Sequence, residues 1–295
     1  MDGIINILKP PGMTSFDVVA LVRGMTGIRK VGHAGTLDPM AAGVLPVCVG
    51  RAARAVEFLT DKDKVYRTEL TLGITTDTQD ITGNVLKSVT PDMPDDKIIS
   101  TIAAFEGNYL QLPPMHSAVR IGGKKLYELA REGVEVERQK REVMIYSAKV
   151  LDIDRTDGIR VLMDIHCSKG TYIRTLCADI GERLGCGGCM SFLLRLRAGP
   201  FDISGAVTLE ELSARKQDGT LQEIVMGVDR IFDGLKSCKL DGVQEKMFRN
   251  GMHIPFPDAE TDSFIRVYGS DGNFIALGMI IDAKNGKYLK VKKFF

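Results

Sequence analysis

The sequence predicts an α+β fold that ends in a small all-β module. Two patterns carry this. Up to about residue 227, strand-like alternation and helical apolar spacing are interleaved along the chain. Beyond that, the runs FIRVYG, NFIALGMII and KYLKVKKFF alternate in short stretches. Turn clusters at Ser270–Gly272 and Lys284–Gly286 separate them, which is the pattern of a small β-barrel. Composition agrees with a folded core: of 295 residues, 44% are hydrophobic and 26% charged.

Taken in order, Gly3–Leu8 reads as a strand that stops at Lys9-Pro10-Pro11-Gly12, and Ser15 is the expected N-cap of a helix over Phe16–Met25. Next comes GHAGTLDPMAAGVLPVCVG, Gly32–Gly50. Its one acid, Asp38, stands between Leu37 and Pro39 with Gly32, Gly35 and Gly43 close by. Pro39 fixes its own φ and biases Asp38 toward an extended conformation. A carboxylate in such a loop, ahead of the apolar run Val44–Val49, is either presented for use or caps its own backbone as an Asx-turn. Arg51–Leu59 reads as a short helix. Lys64–Leu72 alternates as a half-buried strand, with Tyr66, Thr68 and Leu70 on one face and Val65 and Arg67 on the other.

In Gly73–Val85, Asp77 and Asp80 read as turn and loop residues, since no histidine or further ligand accompanies them. Pro91–Glu106 reads as an amphipathic helix. Leu110–Glu132 is first extended and proline-rich, then helical over Lys125–Arg131. Arg120, Lys124, Lys125 and Arg131 make it basic, with Tyr127 interleaved. Strands are expected over Arg141–Asp152, Arg160–Cys167 and Met190–Ala198. Between the last two, Ile173, Leu176, Cys177, Ile180 and Leu184 mark a helix with Thr171 as its N-cap. Arg174 falls in the first turn of that helix, where the dipole disfavours a cation, so its charge is expected to serve a partner elsewhere. Cys186 and Cys189 form a lone CxxC and are read as small buried residues or free thiols. The pattern loosens around Val228–Lys239, where a boundary is expected.

Net charge is +1, from 39 basic and 38 acidic residues, so a nucleic-acid surface would have to come from segregated charge. The start MDGIINILKPPGM does not read as a secretory signal, and no run reaches the length of a membrane span. Six cysteines without a disulfide framework fit a reduced compartment, and a cytoplasmic location is expected.

Several of these stretches together resemble the TruB family of pseudouridine synthases. GHAGTLDP…AAGVLP is similar to the family's catalytic-aspartate motif, and KPPGMTS, Lys9–Ser15, to its N-terminal motif. CSKGTYIRTL, Cys167–Leu176, is matched without a gap. The pattern QxPPxxSAxxxxGxxxYExAR is met by Gln111, Pro113, Pro114, Ser117, Ala118, Tyr127, Glu128, Ala130 and Arg131. FLLRL, Phe192–Leu196, stands where the family often has YLRRL. The GVLP form is closer to the stand-alone bacterial enzymes than to guide-RNA-dependent relatives.

The resemblance implies a catalytic domain built around a mixed, mainly antiparallel sheet over 1–235, with an RNA-contacting insertion at about 110–135. A PUA-like RNA-binding module would occupy 240–295. The implied activity is isomerisation of uridine 55 in the T loop of tRNA to pseudouridine, on a flipped-out base. Asp38 would be the nucleophile and Arg174 its partner. Tyr66 would lie against the uracil and relay a proton. Tyr172 and Leu193 would complete the pocket wall, Lys9 would support the loop, and His33 would fill the space the base leaves. The reaction involves no redox step and no net hydrolysis, so no cofactor and no metal are expected. The expected partner is the tRNA T stem-loop, with no obligate protein partner and a monomeric enzyme.

Two other classes compete. A non-catalytic tRNA-binding or folding protein would need the basic surfaces but not the set Asp38, Tyr66 and Arg174. A metal-dependent nuclease would build on Asp77 and Asp80, which four histidines in the whole chain make a poor fit.

Overall fold

The computed structural model describes the chain except Ala118, Asp258 and Ala259 and the side chains of Arg120, Ile121, Lys125 and Arg131. Ala118 of the PPxxSA motif and three of the four cations expected to make the insertion basic therefore lie outside the described residues.

In chain order the elements are β1 (Gly3–Lys9), α1 (Ser15–Thr26), β2 (Val31–His33), β3 (Ala42–Val49), α2 (Val56–Thr60), β4 (Lys64–Leu72), β5 (Ile74–Thr76), β6 (Val85–Ser88) and α3 (Asp95–Ala103). They continue with β7 (Gly107–Gln111), β8 (Arg120–Ile121), β9 (Lys124–Lys125), α4 (Leu126–Arg131), β10 (Arg141–Asp154), β11 (Ile159–Cys167), α5 (Ile173–Arg183), β12 (Gly188–Ala198), β13 (Phe201–Asp202) and α6 (Leu209–Gln217). The last are β14 (Ser237–Lys239), α7 (Gly242–Arg249), β15 (Ile254–Pro255), β16 (Phe264–Tyr268), β17 (Phe274–Ala283) and β18 (Gly286–Phe294).

A nine-stranded sheet organises the chain up to β13. Its path is β1-β3-β12-β4-β11-β10-β7, with β2 on β3 and β13 on β12. Only the β12–β3 pairing is parallel, so the sheet is mixed and mainly antiparallel. The unbroken apolar run Val44–Val49 follows from burial on both faces of β3. Leu45, Val47 and Val49 pack with Ile5 and Ile7 under Val18 and Val22 of α1 and Leu212 of α6. On the opposite face, Val44 and Cys48 join Ile4, Ala52, Ala55, Leu59 and Phe201. The third core lies on β4 and β11, where Tyr66, Leu70, Val161, Met163 and Ile165 meet α3 and α5 through Ile98, Ile102, Leu176 and Ile180.

Several helix starts differ from the sequence expectation. The Arg51–Leu59 stretch is a 3₁₀ helix over Gly50–Ala55 and α-helical only from Val56. The cap of α1 is Thr14, whose side chain accepts from Asp17 N while Asp17 accepts from Thr14 N, a reciprocal capping box. Ser15 is buried and bonds elsewhere. The α3 helix begins after Pro94, so it is shorter than Pro91–Glu106. The α5 helix has Tyr172, not Thr171, at its N-cap, with no side-chain cap bond.

The C-terminal sheet runs β14-β16-β17-β18-β15 and curls as a half-barrel, close to the small β-barrel expected from the turn spacing and consistent with the PUA-like module that the resemblance implied, with α7 packed on it through Phe248. It shares a core with the rest of the chain: Phe274, Leu277 and Phe295 pack with Phe58 and Phe232. No helix among the described residues is long and apolar enough to cross a membrane.

Candidate active site

Asp38 is the first residue of a β-turn with Pro39 at its second position, closed by Ala41 N donating to Asp38 O at 3.1 Å. The turn is closed by its own backbone, so the carboxylate is left to face Arg174. Buried groups hold the loop from several sides. Lys9, at the end of β1, donates its ammonium to Pro10 O (2.8 Å), Pro39 O (3.2 Å) and Ala41 O (2.7 Å). Gly12 N donates to Pro39 O, and the Ser15 hydroxyl accepts from Leu37 N at 2.9 Å. Burial first, and then Arg195, bring the Lys9 ammonium down to about 8, against the pull of Asp38.

Arg174 lies with Nε 3.1 Å from Oδ2 of Asp38. The carboxylate is 42% exposed and the guanidinium 7%, so a substrate can reach the acid while its cation stays in the wall. The fork does not grip both oxygens of Asp38. Its Nη1 donates to Thr78 O and Asp80 Oδ2, each at 3.3 Å, and its Nη2 to His116 O at 2.8 Å. Asp80 is thus more than a turn residue. Its other oxygen accepts from Thr78 and Thr82, and its loop is tied to β12 by Ile81 N to Met190 O and Met190 N to Gln79 O. The start of α5 has an uncommon anchor: the buried Gln111 amide accepts from Tyr172 N (2.7 Å) and donates to Tyr172 O (2.9 Å), as a neighbouring strand would. This sets Arg174, two residues on, in place.

Tyr66 comes from β4 and is nearly buried, in one cluster with Leu37, Ala41 and Leu193. Burial raises its phenol pKa, and the positive charge of Arg195, across from it on β12, opposes that rise. Leu193 lies opposite Thr68, two residues from Arg195, which lies opposite Tyr66. His33, on β2, meets the exposed ring of Phe16 edge-on at 5.3 Å. Its Nδ1 is buried without a protein partner, and burial lowers its pKa, favouring the neutral ring. Tyr172 stays half-buried at the entry to α5.

Of the residues chosen from sequence, the structure therefore gathers Lys9, Asp38, Tyr66, Arg174 and Leu193, with His33 and Tyr172 on bordering elements. Sequence reasoning missed Ser15, Asp80 and Arg195 as parts of the site and gave Gln111 no task. The signals were slight: a serine beside a better cap, an acid in a turn, and one arginine at a buried position of an apolar strand.

Among the described residues no three His, Cys, Asp or Glu side chains converge as a metal site. Asp77 is spent on Asn84, accepting from its N and Nδ2. Cys186 and Cys189 are buried free thiols, and burial pushes Cys189 up to about 11.

Comparison with known proteins bears on this constellation. The TruB family pseudouridylate synthase N-terminal domain matches 23–173, and the tRNA pseudouridylate synthase B C-terminal domain matches 174–233. A tRNA pseudouridine synthase B of Alkaliphilus oremlandii is 45% identical over 298 residues, covering 99% of this chain and 97% of that protein. The enzyme of the same name from Clostridioides difficile is 42% identical and covered in full, as is this chain. Among solved structures, a Cbf5-Nop10-Gar1 complex aligns with a TM-score of 0.74 at 28% identity, over 99% of this chain and 84% of that one. An H/ACA RNP bound to a substrate RNA containing 2'-deoxyuridine aligns at 0.73 and 27%, over 99% and 84%.

Proposed function

The chain belongs to the TruB family of pseudouridylate synthases, and on that premise we propose that it converts uridine 55 in the T loop of tRNA to pseudouridine, with Asp38 as the reacting carboxylate. The carrying observation is the pairing of a reachable Asp38 with the buried Arg174, in a loop fastened by Lys9 and Ser15. A nucleophile held in one place by groups that need not move is what covalent catalysis requires.

The target base is stacked inside folded tRNA, so it is flipped out to reach Asp38, and His33 with Phe16 borders the space it vacates. The N1–C1′ bond breaks, the uracil turns, and C5 bonds to C1′. The hydrogen on C5 leaves and N1 gains one, so atoms and electrons balance without an external reactant. Tyr66 lies against the uracil and relays that proton, Leu193 and Tyr172 form the wall, and Arg174 holds Asp38 in line. We assign 1–235 to catalysis, with the 110–135 insertion touching RNA, and 240–295 to RNA binding. The enzyme acts as a monomer in the cytoplasm, without metal or cofactor.

The test uses metal-free protein and an unmodified tRNA transcript, digested and analysed for pseudouridine. Pseudouridine should form at position 55 and be absent from a transcript carrying cytidine there. Asp38→Asn should abolish turnover while tRNA affinity stays within about threefold, because phosphate and shape contacts dominate binding. Tight binding by the wild type with no modified base would instead mark a tRNA-binding protein without catalysis.

A further inference from the structure

Between Asp17 and Glu57 the chain has one acid, Asp38, against the cations Arg23, Arg29, Lys30, Arg51 and Arg54. In a chain of net charge +1, that is the segregation a surface for a polyanion requires. The fold gathers these cations at one corner. The end of α1 turns back at Gly27, whose N donates to Arg23 O at 3.0 Å, and Arg29 and Lys30 then lead into β2. Gly50 N donates to Lys30 O at 2.7 Å, and Val31 lies opposite Val49. This sets the 3₁₀ helix Gly50–Ala55, with Arg51 and Arg54, beside the start of β2. A Cβ on Gly32 would stand 3.6 Å from Val56 Cγ2, so the chain just after Arg54 stays alongside the strand.

All five residues are exposed. Arg51 is held by Asp2, with Nε 2.8 Å from Oδ2. Arg23, Arg29, Lys30 and Arg54 form no ion pair among the described residues, and the bordering acids are engaged elsewhere: Asp17 closes the cap of α1 and Glu57 takes Lys293. Other surface arginines do have carboxylates, as Arg155 has Asp95, Arg160 has Asp154 and Arg249 has Glu245. A merely solvated face mixes both signs in this way, whereas like charges collected without acids repel one another and add nothing to folding. Strand β2 joins the corner to the site. His33, beside the space the target base vacates, is three residues from Lys30, about 10 Å at about 3.3 Å per residue. A nucleic-acid strand carries a charge every ~3.4 Å along its axis, so that span covers about three phosphates.

We propose that this corner, made by the end of α1, the start of β2 and the 3₁₀ helix, is a phosphate-binding surface that holds the backbone of the tRNA T stem-loop within a few nucleotides of the target. Cations on the edge of a strand fix the register of the RNA and read no base. The assignment rests on the substrate and target proposed above, and adds the side from which the stem-loop is held.

The test uses full-length protein with an isolated T stem-loop transcript and with the full tRNA transcript. Arg29→Gln, Lys30→Gln and Arg54→Gln are combined in one variant, which removes charge and keeps a polar side chain at each position. With both RNAs, the slope of log affinity against log salt should become shallower by about 0.7–0.9 per residue that meets a phosphate, and affinity at low salt should fall by roughly tenfold or more. The half-saturating enzyme concentration in single turnover should rise by the same factor. If the triple variant melts well below the wild type, the three single variants decide by the same slope. An unchanged slope with the stem-loop overturns the surface. A shallower slope with the full tRNA alone overturns its placement on the stem-loop, and a loss confined to the maximal rate overturns a role in binding. A wild type that binds the stem-loop but forms no pseudouridine overturns the reaction, while the change in slope still decides the surface.

Discussion

Arg174 stands in the first turn of α5, where the helix dipole opposes its charge, and two carboxylates and two carbonyls compensate. Arg174→Lys keeps the charge but loses most of these contacts, because one ammonium cannot reach Asp38, Asp80 and His116 O together. Single-turnover rate should fall by roughly tenfold or more at unchanged tRNA affinity. Asp80→Asn should slow the reaction too, since it frees one arm of the fork that holds Asp38. Its effect should largely vanish once Arg174 is Met, and rapid-quench measurements on the double variant test this. Equal losses in both backgrounds would show that Asp80 acts apart from Arg174. The need for a partner at Arg174 was legible because the residue contradicts its local preference. Asp80 was not, because an acid among threonines is a sufficient turn by itself, and its second partner is 94 residues away.

At the scale of elements, β1 matters through its last residue. Lys9 is buried with three carbonyl acceptors, so the charged form is the one its site is built for, yet its pKa falls to about 8. An unfolded lysine titrates near 10.5, so between those values the unfolded chain holds more protons than the folded one. This group therefore makes stability rise with pH across that window, and its contribution is lost as pH drops through about 8. Activity should run the other way. A neutral Lys9 has fewer hydrogens for the carbonyls of Pro39 and Ala41, and the Asp38 turn loosens. The single-turnover rate should decline above about pH 8, and Lys9→Arg, if folded, should remove that decline. Lys64 is brought to about 8 as well, by burial, but its acceptors are Thr60 O and Lys62 O, away from the turn. A decline that survives Lys9→Arg would move the cause to Lys64. Strands such as β4 were legible from alternation alone, because one of its faces is buried. Helix starts were less so: Thr14 and Ser15 both cap well in isolation, and only the loop around Leu37 decides between them.

Across the whole molecule, the C-terminal sheet was legible from its turn spacing, but its attachment was not, since aromatic residues far apart in sequence carry no sign that they meet. The deletion that sequence spacing invites, from about Leu240 onward, would strip Phe274, Leu277 and Phe295 from Phe58 and Phe232. The remainder should melt at lower temperature and aggregate, and weaker tRNA binding by it would say nothing about RNA contacts. Point changes separate the two effects. On β18, Lys293 folds back to Glu57 and over the Phe58 ring, so it holds the interface. Lys290 and Lys292 are exposed. Replacing both with alanine should leave the melting temperature unchanged within about 2 °C, as surface changes usually do. If each meets a phosphate, the slope of log affinity against log salt should become shallower by about 0.7–0.9 per lysine. The single-turnover rate at saturating enzyme should stay at the wild-type value, since both lysines belong to the C-terminal sheet and Asp38 to the loop between β2 and β3. An unchanged slope would remove this strand from the RNA-binding surface, and a lowered rate at saturation would mean that the module positions the tRNA as well as holding it.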